Sequence, residues 1–261
     1  MDYDTVFAKV IAKQWNALAV EEQRQANTKP NRQGRLAPDD PDSFALVDSY
    51  NYQRGHIDVF EEVYKQANHY PPKKYERLIV VDIGAGAATV AVALHEALSR
   101  TKCKRIDYLA FDPHPMMQKL GKQVLKHLDA GFRTATYIES LDEVGFTRAA
   151  RVLFTFSYVA HQETVTPSDI NEWASLIKRA VCDTDRAVEL MYTTAAKLKG
   201  RGAHLDLYRK LSRAKVIRKC HSVSVEVQRR FPNSVDSKRK ETWRKSTEHW
   251  QVEAGHWILS K

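Results

Sequence analysis

The chain has 261 residues, 43% hydrophobic and 28% charged, so it can bury a full core and does not have the composition of a disordered polymer. No apolar run approaches the roughly 20 residues that span a bilayer, and Met1-Asp2-Tyr3-Asp4 does not read as a secretory signal. The net charge of +9 is uneven: residues 197–245 hold 16 Lys or Arg and 4 Asp or Glu, hence +12, which leaves −3 for the rest.

The pattern over Thr5 to Gln23 predicts a helix with Val6, Phe7, Val10, Ile11, Trp15, Leu18 and Ala19 on one stripe. Asn27 to Ser43, with Pro30, Pro38 and Pro41, reads as an exposed connection or a mobile lid. A second helix is expected from about Tyr50 to Ala67, ended by Pro71-Pro72. Tyr50, Tyr52, Arg54 and His56 at its start form a polar-aromatic cluster that could favour a cation, or simply dock the helix.

From Tyr75 strands and helices alternate. Strands are expected at Leu78–Val81, Ile106–Phe111, Thr134–Ile138, Val152–Val159 and Ala187–Tyr192. Helices are expected at Ala88–Ser99, Pro115–Leu128, from Pro167 to Val181 with Ser168 or Asp169 as cap, and at Leu205–Arg213. Lys215–Arg229 reads as a long strand and His256–Ser260 as a last one. Repeated strand–helix units imply a parallel sheet with helices on both faces. Cys103, Cys182 and Cys220 are far apart and odd in number, so they read as reduced thiols, in the cytoplasm, without metal or disulfide spacing.

The strongest local signal is Val80-Val81-Asp82-Ile83-Gly84-Ala85-Gly86-Ala87. Gly84 and Gly86 permit a tight turn after a buried strand, and the next helix offers its positive end. A dinucleotide fingerprint needs a third Gly where Thr89 stands. Asp82 suits a ligand with a cationic amino group better than a pyrophosphate.

Here the chain resembles the class I S-adenosylmethionine-dependent methyltransferases. The match to their first motif is Asp82-Ile83-Gly84-Ala85-Gly86, and a second match is Ala110-Phe111-Asp112-Pro113-His114-Pro115-Met116-Met117. Weaker matches are Tyr137-Ile138-Glu139-Ser140-Leu141 and Phe154-Thr155-Phe156-Ser157-Tyr158-Val159-Ala160-His161. The resemblance implies a Rossmann-like, doubly wound, mostly parallel seven-stranded α/β sheet. Residues 73–261 would form that domain, and residues 1–72 a helical extension or lid. It implies S-adenosylmethionine as cofactor, contacted by Asp82, Gly84, Ala85, Gly86, Asp112, Pro113, Glu139, Ser140 and Ser157.

Methyl transfer asks the protein mainly to position an acceptor, with a base only where the acceptor must lose a proton. No Asn/Asp-Pro-Pro-Tyr/Phe motif stands at Ser157-Tyr158-Val159-Ala160, and no cysteine lies where a nucleophile would. Only Glu163 occupies the region where arginine methyltransferases use two glutamates. His161 is the base candidate, against a structural histidine, and Tyr158 and Tyr192 are candidates to line the acceptor pocket. The basic segment is expected to grip nucleic acid, RNA rather than DNA, through Arg229, Arg230, Lys238, Arg239, Lys240, Arg244 and Lys245. Trp243, Tyr208 and Phe231 stand among these charges and could stack on bases. The rival readings are a small-molecule methyltransferase, a non-catalytic RNA-binding or assembly protein of the same fold, and a nicotinamide-dependent oxidoreductase.

Overall fold

A computed structural model describes residues 2–28, 39–66, 76–98, 103–128, 131–157, 165–195, 202–232 and 243–261. The chain opens with α1 (Tyr3–Val6), a wider π-helical stretch at Phe7–Ala12, and α2 (Lys13–Asn16). α3 (Val20–Thr28) and the 25-residue α4 (Asp42–Gln66) follow. The single helix expected over Thr5–Gln23 is therefore broken at residues 17–19. There the Gln23 amide donates to the Trp15 and Leu18 carbonyls. α4 starts eight residues earlier than expected, at Asp42, because Ala45, Leu46 and Val47 are buried too.

Then come β1 (Arg77–Ile83), α5 (Thr89–Ala97), β2 (Ile106–Phe111), α6 (Pro115–Leu128) and β3 (Thr134–Tyr137). β4 (Ala150–Ser157), α7 (Pro167–Asp183), β5 (Val188–Ala195) and α8 (Ala203–Arg213) complete the alternation. The chain closes with β6 (Ile217–Pro232) and β7 (Trp243–Leu259). α7 is capped by Thr166, not by Ser168 or Asp169. Thr166 Oγ1 accepts from the Asp169 amide, and the Asp169 carboxylate accepts from the Thr166 amide, a reciprocal capping box.

The sheet has the order β3-β2-β1-β4-β5-β7-β6. β1 to β5 pair in parallel. β7 runs antiparallel to β5 and to β6, so the last two strands form a hairpin at one edge rather than another strand–helix unit. β7 is 17 residues long, far beyond the expected His256–Ser260. Its first half is polar and gives no local strand signal; pairing with β6 sets it.

Alternate residues of the central strands point to two cores. Leu78, Val80, Leu153 and Met191 face the N-terminal helices, α5 and α6. Ile79, Val81, Phe154 and Phe156 face Trp173 and Ile177 of α7 and Leu207 and Leu211 of α8. Residues between 3 and 26 and between 45 and 64 share the first of these cores with the sheet, so the N-terminal helices pack as part of it. Among the described residues no helix is long and apolar enough to cross a membrane.

Candidate functional site

The order reverses beside β1: the chain moves outward to β3 and then returns to place β4 on β1's other side. Crevices for ligands open at such a point, beyond the carboxyl ends of the strands. The turn after β1 lies there. Gly84 and Gly86 have φ of 69° and 54°, and Ala88 has φ of 63°, so every second residue of the turn is left-handed. The amides of Gly84 and Ala85 donate to the Phe111 carbonyl at 2.8 and 3.0 Å, which ties the turn to the end of β2.

Asp112 follows directly. One carboxylate oxygen accepts from the Gly86 amide at 2.9 Å, and the other from the His114 amide at 2.9 Å. The two motifs, 26 residues apart in sequence, thus form one site. Pro113 sits between Asp112 and His114. His114 is buried; its Nδ1 accepts from the Met116 amide, which leaves Nε2 to donate to the Asp40 carbonyl at 3.1 Å.

Asp82 is fully buried on the first core's face of the sheet. The Tyr108 hydroxyl donates to one oxygen at 2.5 Å and the Thr155 hydroxyl to the other at 2.7 Å. Burial pushes its carboxyl up to about 7, against the pull of these two hydroxyls. Asp82 is thus tied to both flanking strands, through Tyr108 of β2 and Thr155 of β4. Neither residue stands out in sequence, because each sits inside a mostly apolar strand.

Ser157 ends β4 one step beyond Thr155 on the same face. Its Oγ is buried and has no hydrogen-bond partner among the described residues. A Cβ built on Gly86 would meet none of the described residues within 4 Å. An unanswered hydroxyl and open space beside the turn are what a polar ligand would fill. Glu139 and Ser140 stand between β3 and the next short turn. Their amides donate to Glu143 Oε1 at 2.9 and 2.7 Å, and Ser140 Oγ caps the short 3₁₀ turn Leu141–Glu143. Glu139 also borders an open groove along α6 with Pro115, Gln118, Lys119, Lys122 and Gln123.

Tyr158, His161 and Glu163 lie outside the described residues, as do Lys238, Arg239 and Lys240. Arg229 lies in β6 and Arg244 in β7, with side chains outside the described ones. Lys245 is exposed on β7. Arg230 is turned inward: its guanidinium grips the Asp58 carboxylate with two nitrogens, one at 2.6 Å. Trp243 is also turned inward. It stacks on Tyr3 with centroids 6.0 Å apart and donates from Nε1 to Asp4 at 2.6 Å, so base stacking is not its role. Tyr192 is packed between His204, 4.9 Å away, and Trp257, 5.3 Å away. The cluster at Tyr50 and Arg54 is internal as well. Tyr50 stacks on Phe7 and Trp15, and Arg54 binds Asp58 and Glu96.

No family model matches the chain, and none of the curated proteins matches it. Solved structures match in fold. Precorrin-6y C5,15-methyltransferase from Geobacter metallireducens is 16% identical, with TM-score 0.43, over 74% of this chain and 87% of that one. A SAM-dependent methyltransferase from Aquifex aeolicus is 12% identical, with TM-score 0.49, over 84% and 99%. Magnesium protoporphyrin IX methyltransferase from Synechocystis, with bound SAM, is 15% identical, with TM-score 0.42, over 100% and 98%. At such identities and TM-scores they add no weight to any residue's role. By its sheet order and its glycine turn, the chain has the Rossmann-like fold of class I S-adenosylmethionine-dependent methyltransferases.

Proposed function

We propose that the protein is a methyltransferase that binds S-adenosylmethionine at the turn after β1 and transfers its methyl group to a nucleic acid, RNA in preference to DNA. One observation carries the cofactor reading. Asp112, from the end of β2, meets Gly86 of the turn at 2.9 Å, so the acidic residue and the glycines occupy one crevice. The unanswered Ser157 Oγ and the open space at Gly86 fit a ligand with polar groups. In this reading the backbone of Gly84–Gly86, the Asp112 carboxylate and Ser157 hold the cofactor, which supplies a methyl group already activated on a sulfonium. Asp82, held by Tyr108 and Thr155, closes the strand that leads into the turn.

The chain's own work is then to bring an acceptor to the carboxyl edge and exclude water. His161, four residues beyond β4 in sequence, is the proposed base where the acceptor carries a proton, and Tyr158 is the second candidate from that stretch. The RNA reading rests on the +12 of residues 197–245. One observation favours a small-molecule acceptor instead: Arg230 and Trp243, two of the residues expected at the grip, are spent inside the fold. The free thiols suit a reducing compartment, and the cytoplasm is the proposed one.

Labelled methyl transfer from S-adenosylmethionine into total RNA tests the proposal. Incorporation that is lost in Asp112→Ala is expected. Incorporation into a small-molecule extract alone would move the acceptor to the second reading. No incorporation into either would leave a non-catalytic protein.

A further inference from the structure

The turn at residues 84–88 is an unfavourable piece of backbone. Glycine tolerates left-handed φ, but Ala88 carries a Cβ and also sits there, at φ of 63°. Such a conformation persists only where the surroundings hold it. Two side chains from outside the motif do this. The Tyr137 hydroxyl, at the end of β3, donates to the Gly86 carbonyl at 2.5 Å. The Gln53 amide, from α4, donates to the Ala87 carbonyl at 2.7 Å. Gln53 is itself fixed, since its Oε1 accepts from the Tyr3 hydroxyl at 2.8 Å. Both residues are buried.

A third residue shows how specific the Tyr137 contact is. Gly121 lies in the middle of α6, where glycine weakens a helix. A Cβ there would fall inside the Tyr137 hydroxyl and ring. The missing side chain is the notch through which the phenol passes on its way to the turn.

We propose that Tyr137 and Gln53 are positioning residues of the cofactor site: they hold the Gly86 and Ala87 carbonyls so that the turn keeps the shape the cofactor needs. Gly121 is the gap that admits Tyr137. The proposal rests on reading the turn as the cofactor site. It also gives the N-terminal helices a role at that site, since Gln53 and Tyr3 belong to them.

Tyr137→Phe removes one hydroxyl, and Gln53→Leu removes the amide at similar size. Each variant is titrated calorimetrically with S-adenosylhomocysteine well below its melting temperature, and amide hydrogen exchange is followed at residues 84–89. Dissociation constants about tenfold weaker are expected, the loss of one hydrogen bond to a buried carbonyl. Faster exchange confined to the turn is also expected, with or without ligand. Ile177→Val, in the opposite core, serves as a control that loses stability without touching the turn; its affinity should match the parent's. Gly121→Ala should behave like Tyr137→Phe, because it evicts the phenol. Folded Tyr137→Phe and Gln53→Leu proteins with unchanged affinity and unchanged exchange at the turn would overturn the proposal. A parent protein that binds no ligand, but whose variants still loosen the turn, would overturn the cofactor reading and leave the bracing in place.

Discussion

The glycine turn and the β6–β7 hairpin follow different rules. In the turn almost every group is answered across a few ångströms by a neighbouring element: Phe111 and Asp112 from β2, Tyr137 from β3, Gln53 from α4. Its chemistry is written in its own few residues, and the fold only needs to bring the answering groups close. The hairpin carries far more charge, yet two of its most suggestive residues work for the fold. Arg230 closes on Asp58, 172 residues away, and Trp243 is an anchor for the N-terminal helices through Tyr3 and Phe7. The lesson is that charge density in sequence counts cations, whereas binding depends on which of them the fold leaves facing solvent.

The sharpest way to break that contrast is Trp243→Ala. If the indole anchors the N-terminal helices, the change should cost about 3–5 kcal/mol, as large aromatic truncations in cores do. Denaturant titration followed by circular dichroism reads it. A loss well under 1 kcal/mol would mean that the hairpin is held some other way.

Next comes Asp82→Ala. It leaves the buried Tyr108 and Thr155 hydroxyls without their acceptor, at roughly 1–3 kcal/mol for each stranded group. Asp82→Asn should cost less and should change the pH dependence. Burial raises the folded carboxyl to about 7 from its ordinary 3.8, so the folded state keeps a proton that the unfolded chain has lost. Stability from this group is present below pH 4 and is lost as pH rises toward 7. The parent should show that decline between about pH 4 and 7, and Asp82→Asn should flatten it.

Smaller effects separate the two kinds of cation on the hairpin. Arg230→Ala should lower stability by about 1–2 kcal/mol, because Asp58 keeps its bond to Arg54, and should leave nucleic-acid affinity unchanged. Lys245→Ala should do the reverse. Stability should stay within about 0.5 kcal/mol, and the salt slope of RNA binding should fall by about one. Equal effects of the two substitutions on RNA binding would erase the distinction between them.

Much of this fold is legible where the signal is local. β2 and α6 begin and end at the expected residues because Asp112, Pro113 and Pro115 punctuate the chain between an apolar run and an amphipathic one. The Gly84–Gly86 turn and its pairing with Asp112 are legible for the same reason. The first half of β7 is not, since its partners lie on β6 and its cover is the chain's own N-terminus. Tyr108, Thr155 and Tyr137 escape notice because a polar atom at the end of a strand residue looks like any other until the opposite partner is placed. Thr166, as the cap of α7, shows the limit of a boundary read by composition alone: three cap-compatible polar residues, Thr166, Ser168 and Asp169, flank Pro167, and the hydrogen bonds choose among them.

The central claim is that the turn holds S-adenosylmethionine. Calorimetric titration of the full chain with S-adenosylhomocysteine tests it most directly. One-to-one binding in the micromolar range is expected, weakened strongly by Asp112→Ala. Absence of heat and of any thermal stabilisation at millimolar ligand, with the protein folded, would contradict it.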